Sequence, residues 1–250
     1  MAYAGKAFVV TGAASGIGRA TVEKLLALQA TVHAIDKASP LPEYTNAHHG
    51  VVVAHAGIDV GSRSAMACVF DQVAARNESL RGLAHCAGIL AETPPSAAGD
   101  AALDGLWSVH GLGTWIADTE FHARVQRNSG ASIVNIASMA SVRGMANLAG
   151  YTACKHAVLG FTRALAQEWG PEGLRVNAVA PGAVRTPMIA KLNVQDNAPI
   201  PGKQVGVPAY IGTLKHVAEP EEIADSILYL LSDQASNVSG HILESSGAWP

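Results

Sequence analysis

The sequence predicts an α/β fold, a single-domain doubly wound parallel sheet with helices on both faces. Three observations predict it. Short apolar runs alternate with amphipathic stretches from one end of the chain to the other, the first run breaks into a glycine-rich turn that opens a helical pattern, and no linker or internal repeat divides the 250 residues. Alternation of strands and helices implies right-handed crossovers, hence parallel strands covered on both faces. Ligands of such sheets bind beyond the carboxyl ends of the strands, so residues at those ends are the ones to follow.

The first element, Lys6 to Thr11, is an apolar strand that runs at once into Thr11-Gly-Ala-Ala-Ser-Gly-Ile-Gly18 and then into a helix over Arg19 to Leu28. Glycines between a strand and a helix let the backbone approach a pyrophosphate, whose charge sits at the positive helix N-terminus. The spacing here is Gly-x-x-x-Gly-x-Gly. A second strand, Thr31 to Asp36, ends on an acid eighteen residues after Gly18. A carboxylate there accepts the ribose hydroxyls of an adenosine and repels a 2′-phosphate, which favours NAD over NADP, although Lys37 offers a cation beside it. Residues 38–50 form a polar loop in which His48 and His49 are read as solvated. Val51 to Ala54 leads to Ile58-Asp59-Val60, where Asp59 is placed to reach an adenine amine. A helix from about Ser62 to Arg76 and a fourth strand, Arg81 to Gly88, follow; Gly88 suggests close backbone approach to a ligand.

A loop over residues 90–99 leads to a long helix, about Asp100 to Arg127, carrying Trp107, His110 and Trp115. The fifth strand runs to Ala137 and places Ser138 at its tip. Next comes a helix from about Ala149 to Trp169, which carries Tyr151 and Lys155. Residues four apart share a helix face, so the phenol and the ammonium address one point, where a fixed cation would draw the phenol pKa towards neutrality. Arg175 to Ala180 is a sixth strand stopping at Pro181-Gly182. Residues 183–215, rich in Pro and Gly, read as a substrate lid. A last helix, Pro220 to about Ser232, and a strand at His241 to Glu244 close the chain.

Composition narrows the function. With 49% hydrophobic and 15% charged residues, net charge −3 and pI near 6.3, the chain is globular, and a nucleic-acid partner is not expected. The three cysteines, Cys68, Cys86 and Cys154, lack metal-ligand spacing, and the ten histidines form no His-x-x-x-His pair, so no metal is expected. The Met1 end enters a strand directly and no segment is apolar enough to span a bilayer. A cytoplasmic protein is the expectation.

Taken jointly, Thr11-Gly-x-x-x-Gly-Ile-Gly18, Asp36, Asp59-Val60, Ala87-Gly88, Ser138, Tyr151-x-x-x-Lys155, Asn177 with Pro181-Gly182, and Thr186 resemble the short-chain dehydrogenase/reductase family over essentially the whole chain. The resemblance implies a Rossmann-like fold and hydride transfer between a nicotinamide and an alcohol or carbonyl carbon. Tyr151 would be the acid/base, Lys155 would hold the nicotinamide ribose, and Ser138 would position the substrate oxygen. Gly12, Ser15, Gly16, Ile17, Gly18, Asp36, Asp59, Val60, Ala87, Gly88, Pro181, Gly182, Val184 and Thr186 would bind NAD alongside Tyr151 and Lys155. It also implies a dimer or tetramer built from the 100–127 and 149–169 helices.

Three positions depart from the family pattern. His85-Cys-Ala-Gly88 stands for Asn-Asn-Ala-Gly, a change expected to alter strand-to-strand hydrogen bonding. Ser245-Ser-Gly247 stands for Asp-Gly-Gly. His110 occupies the place of a catalytic Asn, where a neutral imidazole either carries a proton relay or fills space. The expected pocket walls, Ile89-Leu90, Met139 to Leu148, Met188 to Ala190 and Val205 to Ile211, are mainly apolar, with Arg143, Arg185 and Lys191 nearby. They favour an uncharged alicyclic or aromatic secondary alcohol or ketone, and Arg143 leaves a carboxylated substrate open. A non-catalytic NAD-binding sensor or scaffold, and an NADPH-dependent carbonyl reductase, are the competing readings.

Overall fold

A computed structural model describes residues 3–76, 78–190, 212–214 and 217–249. Seven strands form one sheet in the order β3-β2-β1-β4-β5-β6-β7, and every pairing is parallel. They are β1 (Ala7–Thr11), β2 (Thr31–Asp36), β3 (Val51–Ala56), β4 (Leu80–His85), β5 (Ser132–Ile136), β6 (Arg175–Pro181) and β7 (Ile242–Ser245). The central strands bury both faces, which is why they read as continuous apolar runs rather than as alternating ones. β1 pairs with β2 on one side and β4 on the other, so the chain order reverses between β1 and β4 and opens a crevice at their carboxyl ends.

Helix α1 (Gly16–Ala27) packs with α7 (Pro220–Leu231) on one face, where Val22, Leu25, Ile223 and Ile227 meet Val10 and Val134. On the other face α2 (Arg63–Ala75), α4 (Gly113–His122) and α5 (Ala149–Trp169) bring Phe70, Ile116, Phe121 and Leu165 against Val9, Leu83 and Ile133. Local chemistry sets the helix ends. The Ser62 hydroxyl accepts the Ala65 N–H at the start of α2, and Glu219 with Glu222 makes a capping box ahead of Pro220.

The structure corrects two element boundaries. α1 begins at Gly16 rather than Arg19, because glycines of the turn form its first turn and carry no apolar periodicity. The long helix expected over residues 100–127 is three pieces: α3 (Asp100–Leu106), a π-helical stretch Trp107–Leu112, and α4, which ends at His122. Gly111 permits the widened turn, since a Cβ there would lie 2.7 Å from the Trp107 indole. Of the expected lid, residues 183–190 lead into the short α6 (Pro187–Ala190). Lys191 and the stretch from Val205 to Ile211 lie outside the described residues.

Candidate active site

Every residue assigned above to the dinucleotide or to catalysis borders one cavity of about 550 Å³ at the carboxyl ends of the strands. Its floor at the switch point is tight. A Cβ on Gly12, which has φ +66°, would meet the Ala87 backbone at 2.8 Å, and one on Gly18 would lie 2.1 Å from the Gly12 carbonyl oxygen. Only glycine allows that turn. The Ser15 side chain makes no capping bond, so the first N–H groups of α1 stay available to an anion. Thr186 closes over the turn, its methyl 3.0 Å from where a Gly16 Cβ would be.

At the end of β2, Asp36 is held by two backbone donors, Ala14 N–H to Oδ2 at 2.9 Å and Ala38 N–H to Oδ1 at 2.8 Å. Two carboxylate oxygens offer about four acceptor sites, so capacity remains for ribose hydroxyls. Lys37, the cation that would favour a 2′-phosphate, instead donates to Asp59 Oδ2 at 2.7 Å, and the lysine beside it holds the Asp59 carboxyl below its ordinary pKa. The residues present therefore fit a dinucleotide: a turn with no room for side chains, an uncapped helix start and an acid at the ribose position.

The other end of the cavity gathers Ser138, Tyr151 and Lys155. Ser138 caps the 3-10 turn Met139–Ser141; its Oγ accepts the Ala140 N–H at 3.1 Å, which leaves the hydroxyl hydrogen to donate elsewhere. The start of α5 is fixed from outside the helix by Thr93, whose hydroxyl accepts the Gly150 N–H at 2.8 Å. Tyr151 follows directly, and one turn on Lys155 donates from Nζ to the Ile136 carbonyl at 2.6 Å. That bond ties the helix to the end of the strand carrying Ser138.

A family model described as enoyl-(acyl carrier protein) reductase matches residues 12–247. Over 98% of its length the chain is 34% identical to 2,5-dichloro-2,5-cyclohexadiene-1,4-diol dehydrogenase of Sphingobium indicum, covering 97% of that protein. The chain belongs to the short-chain dehydrogenase/reductase family. Cis-4-hydroxycyclohexanecarboxylate dehydrogenase of Sinomonas cyclohexanicum is also 34% identical, over 99% of this chain and 98% of its own. Among solved structures, a short-chain dehydrogenase from Mycobacterium paratuberculosis bound to NAD superposes with a TM-score of 0.86 at 28% identity, over 99% and 98% of the two chains. This short-chain dehydrogenase/reductase is an oxidoreductase, and its cofactor is a nicotinamide dinucleotide.

Electrostatics in this dehydrogenase/reductase run against one expectation. Burial pushes the Tyr151 phenol up to about 12, with a hydrogen bond from Ser138 opposing it, and burial pulls the Lys155 ammonium down to about 7. The anticipated lowering of the phenol by its neighbour is not the dominant effect, because both groups sit in a medium that penalises charge. Lys155 Nζ lies 5.7 Å from the centre of the Tyr151 ring and spends a hydrogen on a carbonyl rather than on the phenol oxygen. Tyr151 is therefore a neutral phenol in this state.

Two family departures now have structural explanations. His85 Nδ1 and the Thr11 hydroxyl are 2.9 Å apart, and that hydroxyl accepts the Ala87 N–H at 3.1 Å, so the substitution ties β1 to β4 as expected. His110 is buried, edge-on to Tyr151 with ring centres 5.4 Å apart, and its Nε2 is 2.7 Å from the Ile89 carbonyl. Burial first, then the Lys155 charge, holds its pKa well below the ordinary histidine value, so the ring is neutral. Gly88 is small for His110 rather than for a ligand alone, since a Cβ there would lie 2.9 Å from His110 Cε1. The sequence missed Trp249, which borders the cavity, and Arg143 is placed over its indole rather than on the cavity wall.

Proposed function

We propose that the protein is an NAD-dependent dehydrogenase that interconverts an uncharged alicyclic or aromatic secondary alcohol and its ketone. The observation that carries this reading is the convergence of Ser138, Tyr151 and Lys155 on one end of a cavity whose other end closes on Asp36. The nicotinamide supplies the hydride acceptor or donor, which no side chain here provides. Ser138 turns its hydroxyl hydrogen from the phenol to the substrate oxygen and holds that oxygen beside the phenol. Tyr151 passes a proton to that oxygen during reduction and receives one during oxidation. Lys155, tied to Ile136, keeps two further hydrogens for the ribose hydroxyls and places positive charge where the phenolate would form.

Leu90, Met139, Met145, Leu148, Met188 and Ile189 make the substrate end apolar, in keeping with the cyclic alcohols named for the relatives above. Asp36 favours NAD, and the Lys37–Asp59 pair removes the nearest cation from a 2′-phosphate. Fluorescence titration with NADH and NADPH, followed by turnover of cyclic secondary alcohols, tests both parts. NADH should bind at least tenfold more tightly than NADPH, and Tyr151→Phe should lower kcat by about a hundredfold or more while NADH binding persists. Tighter NADPH binding would favour the carbonyl-reductase reading. NADH binding without turnover across the panel would favour a sensor.

A further inference from the structure

Among the described residues, Trp249 alone reaches the cavity from the segment after β7. The chain gets there through two successive left-handed residues, Gly247 at φ 62° and Ala248 at φ 58°. An alanine in that region costs about 1 kcal/mol and persists only where the surroundings over-determine it. They do so here. Ser245 O accepts the Gly182 N–H at 3.1 Å, Gly247 O accepts the Leu214 N–H at 3.1 Å, and the Trp249 N–H donates to Ser246 Oγ at 3.3 Å. From the loop after Ser138, the exposed Arg143 lies with its guanidinium carbon 5.6 Å from the indole centre and Nη2 3.5 Å from the Trp249 carbonyl oxygen.

We propose that Trp249 is the specificity-determining wall of the substrate site, against which the ring of a cyclic substrate lies, and that Arg143 is the positioning residue that holds it. The inference rests on the dehydrogenase reading above. Among the described residues, the other side chains at the substrate end, Leu90, Met139, Met145, Leu148, Met188 and Ile189, are aliphatic or thioether groups that conform to many shapes. A clamped indole is flat and rigid, and it rewards a ring over a chain of equal size by edge and face contacts. The segment that carries it is fastened at Ser245 to Gly182, one of the residues assigned to the dinucleotide, so the wall is set relative to the cofactor site.

The test compares cyclohexanol and 2-butanol as substrates with NAD, in wild type, Trp249→Leu, Trp249→Phe and Arg143→Ala, with NADH affinity read on each as a check of the folded site. In Trp249→Leu the ratio of kcat/KM for cyclohexanol over 2-butanol should fall about tenfold, carried by KM. Trp249→Phe should restore most of it, and Arg143→Ala should lower it by a smaller factor. An unchanged ratio in Trp249→Leu, or an equal loss on both alcohols, overturns the inference while leaving the dehydrogenase intact. Wild-type inactivity on both alcohols, with NADH bound, overturns the dehydrogenase reading and this inference with it.

Discussion

His110 shows how a single side chain divides between packing and chemistry. Its ring stands edge-on to Tyr151 and is held by the Ile89 backbone, and it is neutral because burial and the nearby Lys155 both oppose a second proton. A neutral imidazole both donates and accepts, as a relay position requires. Removing it with His110→Ala should lower kcat about tenfold and shift the pH profile of kcat, leaving NADH affinity unchanged, whereas His110→Asn should recover part of the loss. Unchanged kinetics in His110→Ala would reduce the ring to a space-filler. Ser138, Tyr151 and Lys155 were legible because their relations are local: a strand tip, and two residues one helical turn apart. Trp249 was not legible, since the Arg143 that lies over its indole is more than a hundred residues away.

At the scale of elements, α4 and α5 meet β5 through a buried polar cluster. Asn135 Nδ2 donates to Asp118 Oδ2 at 2.9 Å and lies 3.4 Å from the Thr162 hydroxyl, while Asp118 Oδ1 and Asn135 Oδ1 have no hydrogen-bond partner among the described residues. Burial raises the Asp118 carboxyl to about 7, with the Asn135 bond opposing. Between about pH 4 and 7 the folded state then keeps a proton that the unfolded chain releases, so this group lowers stability as pH rises through that window, by roughly 4 kcal/mol at most. Asp118→Asn removes the titration. Urea midpoints should be similar for the two proteins near pH 4.5 and should favour the variant at pH 8; a difference independent of pH would rule out a protonated Asp118. The same region shows where patterns mislead. The sequence read as one helix over residues 100–127, whereas where it breaks or widens depends on Trp107 packing over Gly111.

Across the whole molecule, the helix-and-strand alternation was enough to anticipate a parallel sheet and the gathering of motifs at one rim, because topology follows from element order. How the surface is covered does not follow in the same way. Leu103, Trp107, Leu112 and Trp115 are each 40% or more exposed along α3, the π-helical stretch and α4, and Trp115 meets Phe161 of α5 with ring centres 5.8 Å apart. We infer that a second copy of the chain covers this face, as the family resemblance implies. Sedimentation at micromolar concentration should show a dimer or tetramer, and Trp115→Glu should shift it towards monomer; a monomeric wild type would remove the claim.

The position of β1 at the centre of the sheet governs how the chain must acquire its shape. Its first partner, β2, arrives one helix later, but its other edge waits for β4, with Ala7 opposite Leu80. Until then a nascent chain presents an open, apolar strand edge, the surface most prone to pairing with the wrong neighbour. The crevice that serves the ligand in the finished protein is thus the last seam of the sheet's first half to close, and fragments ending before β4 are the ones that should aggregate.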